Sequence, residues 1–290
     1  MTGWTVMRLV RAGARSPSGR FALRVVRELV DLGLVDRGMT LAAHVFTSVL
    51  PILIIAGALR ANLDPRSGPL FAEHLGLDAA TAEILQKSLP GGAQELRATG
   101  VIGVILLVIA ATSFARALER SLRTIWRTPS VSVKLAWRWF ASLLTVVLGL
   151  AFVVATRIVV SGDGAMPLVE FLVEVLVWGA LWWIASWIVI DRRVSLRRLL
   201  PGAALTGIGF AVAGLVGRAF LPPLLADSAA RFGVLGMAFT YIGWLLVLSC
   251  VLLVGMTAGR VLFLAHAGDA WRRSAYASAG AAQRDGSLTG

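Results

Sequence analysis

Charge is what this chain has least of. Only 15% of its 290 residues are Asp, Glu, Lys or Arg, where a soluble domain carries about a quarter. Its one cysteine, Cys250, lies in an apolar run, so no intramolecular disulfide is possible and redox compartment cannot be read. The three histidines, His44, His74 and His266, are far apart, and no Cys/His spacing fits zinc. The phosphate-binding Gly-Lys loop, the Gly-x-Ser-x-Gly elbow, His-Glu-x-x-His and paired metal-binding carboxylates are all missing. A nucleophilic or metal site needs several convergent polar groups, and these apolar runs offer few. The motifs therefore support no enzyme, and no cofactor or metal is implied.

What the chain has is apolar length. Hydrophobic residues make up 57% of it, and the mean hydropathy is +0.79. Residues 201–221 carry no charge until Arg218, and 234–253 carry none at all. At about 1.5 Å per helical residue, each run crosses a hydrocarbon core of about 30 Å. The expected fold is an all-α polytopic membrane protein of six spans. They lie at about 39–59, 99–115, 140–160, 168–190, 201–221 and 234–259, within a membrane domain of residues 38–267.

Pro51 is expected to kink the first span, which neighbouring helices tolerate. Residues 60–98 form the longest polar connection. Asp78 suits the N-cap of a short helix over 79–89, ended by Pro90-Gly91-Gly92. The second span continues through Arg116, Arg120, Arg123 and Arg127 until Thr128-Pro129-Ser130 stops it. Trp126, Trp137 and Trp139 flank that turn like an interfacial belt.

Residues 1–37 are basic, with seven arginines, and lack the apolar core of a secretory signal. Over 20–35, Arg20, Arg24, Arg27, Glu28 and Asp31 oppose a stripe of Phe21, Val25, Leu29 and Leu32. This amphipathic helix either lies in an anionic membrane surface or packs on the protein's own cytoplasmic end. The tail, 268–290, is small and polar and is expected to be disordered.

Charge sets the orientation. Of the 28 Lys and Arg residues, 21 fall on the side that holds both termini, against seven acidic residues. The opposite side has seven basic and nine acidic residues. The positive-inside rule places the first side, and both termini, in the cytoplasm of a cell with the chain in its cytoplasmic membrane. The basic face then meets anionic lipid headgroups, so the net charge of +12 calls for no nucleic acid partner. A homo-oligomer is left open.

Ionisable groups inside spans are the candidate substrate-binding residues, because each costs roughly 2.5–3.5 kcal/mol at mid-membrane. Glu170 and Glu174 share a face at the outer end of the fourth span, with Arg157 ending the third and Arg218 near the end of the fifth. Either a carboxylate–guanidinium pair lines an outward cavity, or both arginines snorkel to the surface. His44, in the first span, reads as a proton-linked or ligand-contacting group or as an interhelical hydrogen bonder. Gly202, Gly207, Gly209, Gly214, Gly255 and Gly259 read as surfaces on which the fifth and sixth spans pack closely.

The segment GRAFLPPLLADSAARFGVLGMAFTYIGWLLVLSCVLLVGMTAGRVL resembles the C-terminal signature of the YihY/BrkB family, once called ribonuclease-BN-like. It carries the Phe232-Gly233-Val234-Leu235-Gly236 turn, with Trp244 and Gly255 following. The run from Ala43 to Pro51 and the segment ALERSLRTIWR are similar to the family's first and second spans, although His44 stands where the family usually has Tyr. The resemblance covers residues 20–267 and implies an inner-membrane protein. The His-x-His-x-Asp-His cluster of zinc ribonucleases is missing, so the old nuclease label gains nothing from this chain. Family associations with serum resistance and envelope lipid export imply transport of an envelope lipid or small solute, or a non-transporting envelope scaffold.

Overall fold

The computed structural model describes residues 16–62, 93–128, 167–190 and 194–286, and every regular element among them is an α-helix. Helix α1 is Pro17–Leu32. Ser16 caps it, its hydroxyl accepting the Gly19 N–H at 3.0 Å, and Pro17 occupies the first turn, where a missing N–H costs nothing. Gly33, at φ 69, closes it with its N–H directed to the Leu29 and Val30 carbonyls. These caps, stronger signals than the amphipathic period alone, set the helix about three residues ahead of the expected 20–35.

Helix α2, Leu34–Asn62, follows at once, covers the first expected span and contains Pro51. Helix α3, Ala93–Trp126, joins the second span to its arginine-rich extension. It ends at Arg127, whose φ of 50 breaks the helix as the Thr128 N–H reaches back to the Arg123 carbonyl. Helix α4, Pro167–Val189, occupies the fourth span.

Helix α5, Leu196–Gly286, is two arms joined at Gly233, whose φ of 62 and ψ of −146 suit only glycine. The arms run antiparallel. Gly202 lies against Met256, Gly209 against Val251 and Gly217 against Trp244. Near the tip, the Thr240 hydroxyl donates to Ser228 at 3.0 Å. The out-and-back pair expected around Phe232-Gly233 is therefore present. Its first arm is longer than expected, helical from 196 to 232 rather than 201–221, through Pro222 and Pro223. Both prolines are exposed, so their lost backbone bonds fall where water or headgroups can replace them, and Leu224, Leu225, Ala226, Ala229 and Ala230 favour helix. The second arm continues to Gly286, across a tail expected to be disordered. Its alanine content accounts for that difference. The third expected span and the short helix over 79–89 lie outside the described residues.

Among the described residues, three helical stretches are long and apolar enough to cross a membrane: Val101–Trp126, Leu168–Val189 and Leu196–His266, with mean hydropathies of 2.3, 1.8 and 2.3. The last has 71 residues and is folded in two by Gly233. On α3, Val101, Ile102, Ile105 and Ile109 are exposed, which suits a lipid-facing surface.

Helix α2 packs on α3 and α5, and α4 packs on α5. The core they share holds Leu118, Leu122, Leu181, Trp182, Phe210, Leu253 and Met256. Phe210 sits 4.9 Å from Trp178 and 5.5 Å from Trp182, ring centre to ring centre. The glycines divide in their roles. Gly255 and Gly259 bring the two arms of α5 together, on Thr206 and Gly202. Gly207 instead faces α4, where a Cβ would come within 2.5 Å of the Val175 carbonyl oxygen.

Candidate functional site

Two ionic clusters lie at opposite ends of the helix packing. The first is built from the start of α4 and the first arm of α5. Glu170 and Glu174 are one turn apart, so both carboxylates face the same neighbour. That neighbour is Arg218. One of its guanidinium nitrogens donates to Glu170 at 3.0 Å and to Glu174 at 3.2 Å. The three side chains differ sharply in exposure. Glu174 is 3% exposed, Glu170 31% and Arg218 38%. The group thus spans from a buried carboxylate to an open surface. A carboxylate is removed from water only at a cost of several kcal/mol unless it is paired, and Arg218 supplies one such partner to the buried Glu174. Such a group can hold a cation or a polar headgroup at its exposed edge.

The Arg218 guanidinium turns to the carboxylates of α4 and stays partly exposed. Arg157 lies outside the described residues. His44 sits half-buried on α2, with Arg120 of α3 as its charged neighbour. Among the described residues, no hydrogen bond or ion pair joins it to the Arg218 cluster.

The second cluster went unread in the sequence. Glu28 of α1 accepts from Arg260 of α5 at 3.0 Å and from Arg127, just beyond α3, at 3.2 Å. Arg260 is 10% exposed, while Arg127 is 69% exposed. The two ion pairs fasten α1 across α3 and α5, and Val25 and Leu32 are buried beneath it. One face of the amphipathic helix thus packs on the protein, while Arg20, Arg24 and Arg27 on the other remain exposed. A signal was available. Glu28 falls three residues after Val25 and four before Leu32, inside the apolar stripe rather than opposite it. A charge in that position needs a partner on the surface beneath.

Beside this cluster is a cavity of about 100 Å³ lined by Glu28, Asp31, Leu32, Thr124, Ile125, Arg127 and Thr257. Between the two clusters the interior is filled by Trp182, Phe210, Leu253 and Met256. Ser186 is fully buried at this level, with its hydroxyl 3.9 Å from the Met256 sulfur.

The family model described as "Virulence factor BrkB" matches residues 25–273, which includes both ionic clusters and all five helices in part or whole. No solved structure matches the chain.

Proposed function

The chain belongs to the BrkB family and is a membrane protein, and from that premise we propose that it translocates an envelope lipid or small polar solute. In this reading it is a multi-pass protein of the bacterial cytoplasmic membrane, with six spans and both termini in the cytoplasm. The placement of charge supports it. Arg127 and Arg260 gather with α1 at one end of the packing, and Arg198 lies nearby over the ring of Phe263 at 5.7 Å. Glu170, Glu174 and Arg218 hold the other end. That end would face away from the cytoplasm.

The observation that carries the reading is Glu174, a carboxylate buried among apolar helices and bonded to an arginine that reaches the surface. An ionisable group in such a place is costly to keep, and membrane proteins keep such groups on substrate or ion pathways. The exposed edge at Glu170 and Arg218 opens beside the lipid-facing side of α5, where Leu215 and Val216 are exposed. A lipid headgroup can reach it there. Catalysis and nucleic acid binding form no part of this reading.

Complementation of a deletion strain tests it. Glu174→Gln keeps the shape and removes the charge. The expected result is loss of envelope integrity at wild-type expression, with Glu170→Gln closer to wild type. Normal growth of the Glu174→Gln strain under envelope stress would remove the residue from the mechanism.

One observation favours a second reading. The interior between the clusters is closed by large side chains, as a scaffold working through protein contacts would allow. A scaffold should tolerate Glu174→Gln wherever the fold survives, so the same assay separates the two.

A further inference from the structure

The cavity at the α1 end has a composition that selects its ligand. Glu28 and Asp31 contribute two carboxylates, and Arg127 lines the wall while Arg260 lies behind Glu28. The formal charge of these four groups is zero. A bare anion would meet two carboxylates, and a bare cation would meet two guanidinium groups. Glu28 is engaged by both arginines, whereas the Asp31 carboxylate is exposed and makes no ion pair among the described residues.

A second observation points into the same space. Thr257 is 2% exposed, and its hydroxyl, on a residue that lines the cavity, has no hydrogen-bond partner among the described residues. A buried hydroxyl left unpaired costs about 1–3 kcal/mol, so this wall is incomplete without a ligand or water. Thr124 adds a second hydroxyl, which donates to the Arg120 carbonyl and keeps its lone pairs for accepting. The lining therefore offers acceptors at Asp31, Thr257 and Thr124, and a donor in the Arg127 guanidinium, which is 69% exposed.

We infer that this cavity binds an ammonium–phosphate zwitterion of the phosphoethanolamine type. Its primary ammonium would sit against Asp31 and Thr257, and its phosphate against Arg127. An ammonium has three donors for the three acceptors. The cavity holds about three waters at roughly 30 Å³ each, room for the ethylammonium arm, with the phosphate left at the mouth. Two sources share this chemistry, a phosphatidylethanolamine headgroup and free phosphoethanolamine. Helix α1 favours the lipid-borne source. Its outer face exposes Val26 at 56% and Val30 at 73% beside the exposed Arg27, a pattern that settles at headgroup depth. The inference does not rest on the translocation reading, because a scaffold could hold the same headgroup.

Native mass spectrometry of the full chain in detergent tests it, with phosphatidylethanolamine, phosphatidylcholine and phosphatidylglycerol of identical acyl chains as probes. Phosphatidylethanolamine should bind in preference to phosphatidylcholine, whose methyl groups replace every N–H donor. Asp31→Asn removes one charge-assisted bond and should weaken phosphatidylethanolamine binding by roughly 10- to 100-fold. Binding of phosphatidylglycerol should be unchanged. Thr257→Ser should keep the affinity that Thr257→Val loses. Asp31 is exposed, so its variant folds, and an unchanged thermal midpoint confirms that. Displacement by millimolar phosphoethanolamine would assign the free headgroup as a ligand, while Asp31-dependent binding that resists it would assign the lipid. Equal binding of phosphatidylethanolamine and phosphatidylcholine, or unchanged affinity in Asp31→Asn, would overturn the inference.

Discussion

The two ion pairs on Glu28 make unequal contributions, and the inequality can be calculated from burial. Removing one partner of a fully buried pair costs about 3–5 kcal/mol, because the other charge is left uncompensated. An exposed pair contributes about 0–1 kcal/mol. Arg260 is 10% exposed and Glu28 26%, so Glu28→Gln should cost about 2 kcal/mol, between these limits. The glutamine retains a carbonyl that can accept from Arg260, which keeps the cost below the upper range. Arg127 is 69% exposed, so Arg127→Gln should cost less than about 1 kcal/mol. Thermal unfolding in one detergent, followed by circular dichroism, gives the comparison. The Glu28→Gln midpoint should fall at least twice as far as that of Arg127→Gln. A double-mutant cycle of Glu28→Gln with Arg260→Gln should show coupling above about 0.5 kcal/mol, the level at which neighbouring residues depart from additivity. Equal shifts for the two single variants, or an additive cycle, would refute the claim that α1 is fastened by the buried pair.

Three further outcomes follow from the glycines. Gly207→Ala places a methyl group against the Val175 carbonyl and should destabilise by about 1–3 kcal/mol. Gly243→Ala, with nothing within 4 Å of the added carbon, should be neutral or stabilising by up to about 1 kcal/mol from helix propensity. Unfolding midpoints in detergent check the pair. Gly233→Ala forces a side chain into a conformation open almost solely to glycine and should cost about 1–3 kcal/mol. Cysteine cross-linking between 228 and 240 should become less efficient as the tip of α5 loosens.

The parts of this molecule that were legible in its sequence are those in which one local rule decides. The apolar runs around Gly233 exceed membrane length on either side of a residue that tolerates positive φ, so an out-and-back pair followed. Glu174 and Arg218 were singled out because charge in an apolar run is costly wherever it lies, and the structure brings them to 3.2 Å. Other features depend on partners that no spacing rule specifies. Arg260 reads as an ordinary basic flank, and its carboxylate partner lies 232 residues earlier in the chain. The seven-residue spacing of Gly207 and Gly214 marks a helix face but not the neighbour it meets, so contact with α4 was read as contact within α5. The apolar run sets the expected end of the fifth span at 221, whereas the alanines and leucines after Pro222 and Pro223 carry the helix to 232.

The central claim is that the buried carboxylate lies on a path across the membrane. Vesicles reconstituted with the full chain and an acyl-labelled phosphatidylethanolamine report it, through quenching of the label as it reaches the outer leaflet. Wild-type protein should speed inner-to-outer movement over protein-free vesicles, and Glu174→Gln should return the rate towards theirs. A wild-type trace that matches protein-free vesicles, or a Glu174→Gln trace that matches wild type, would contradict the account.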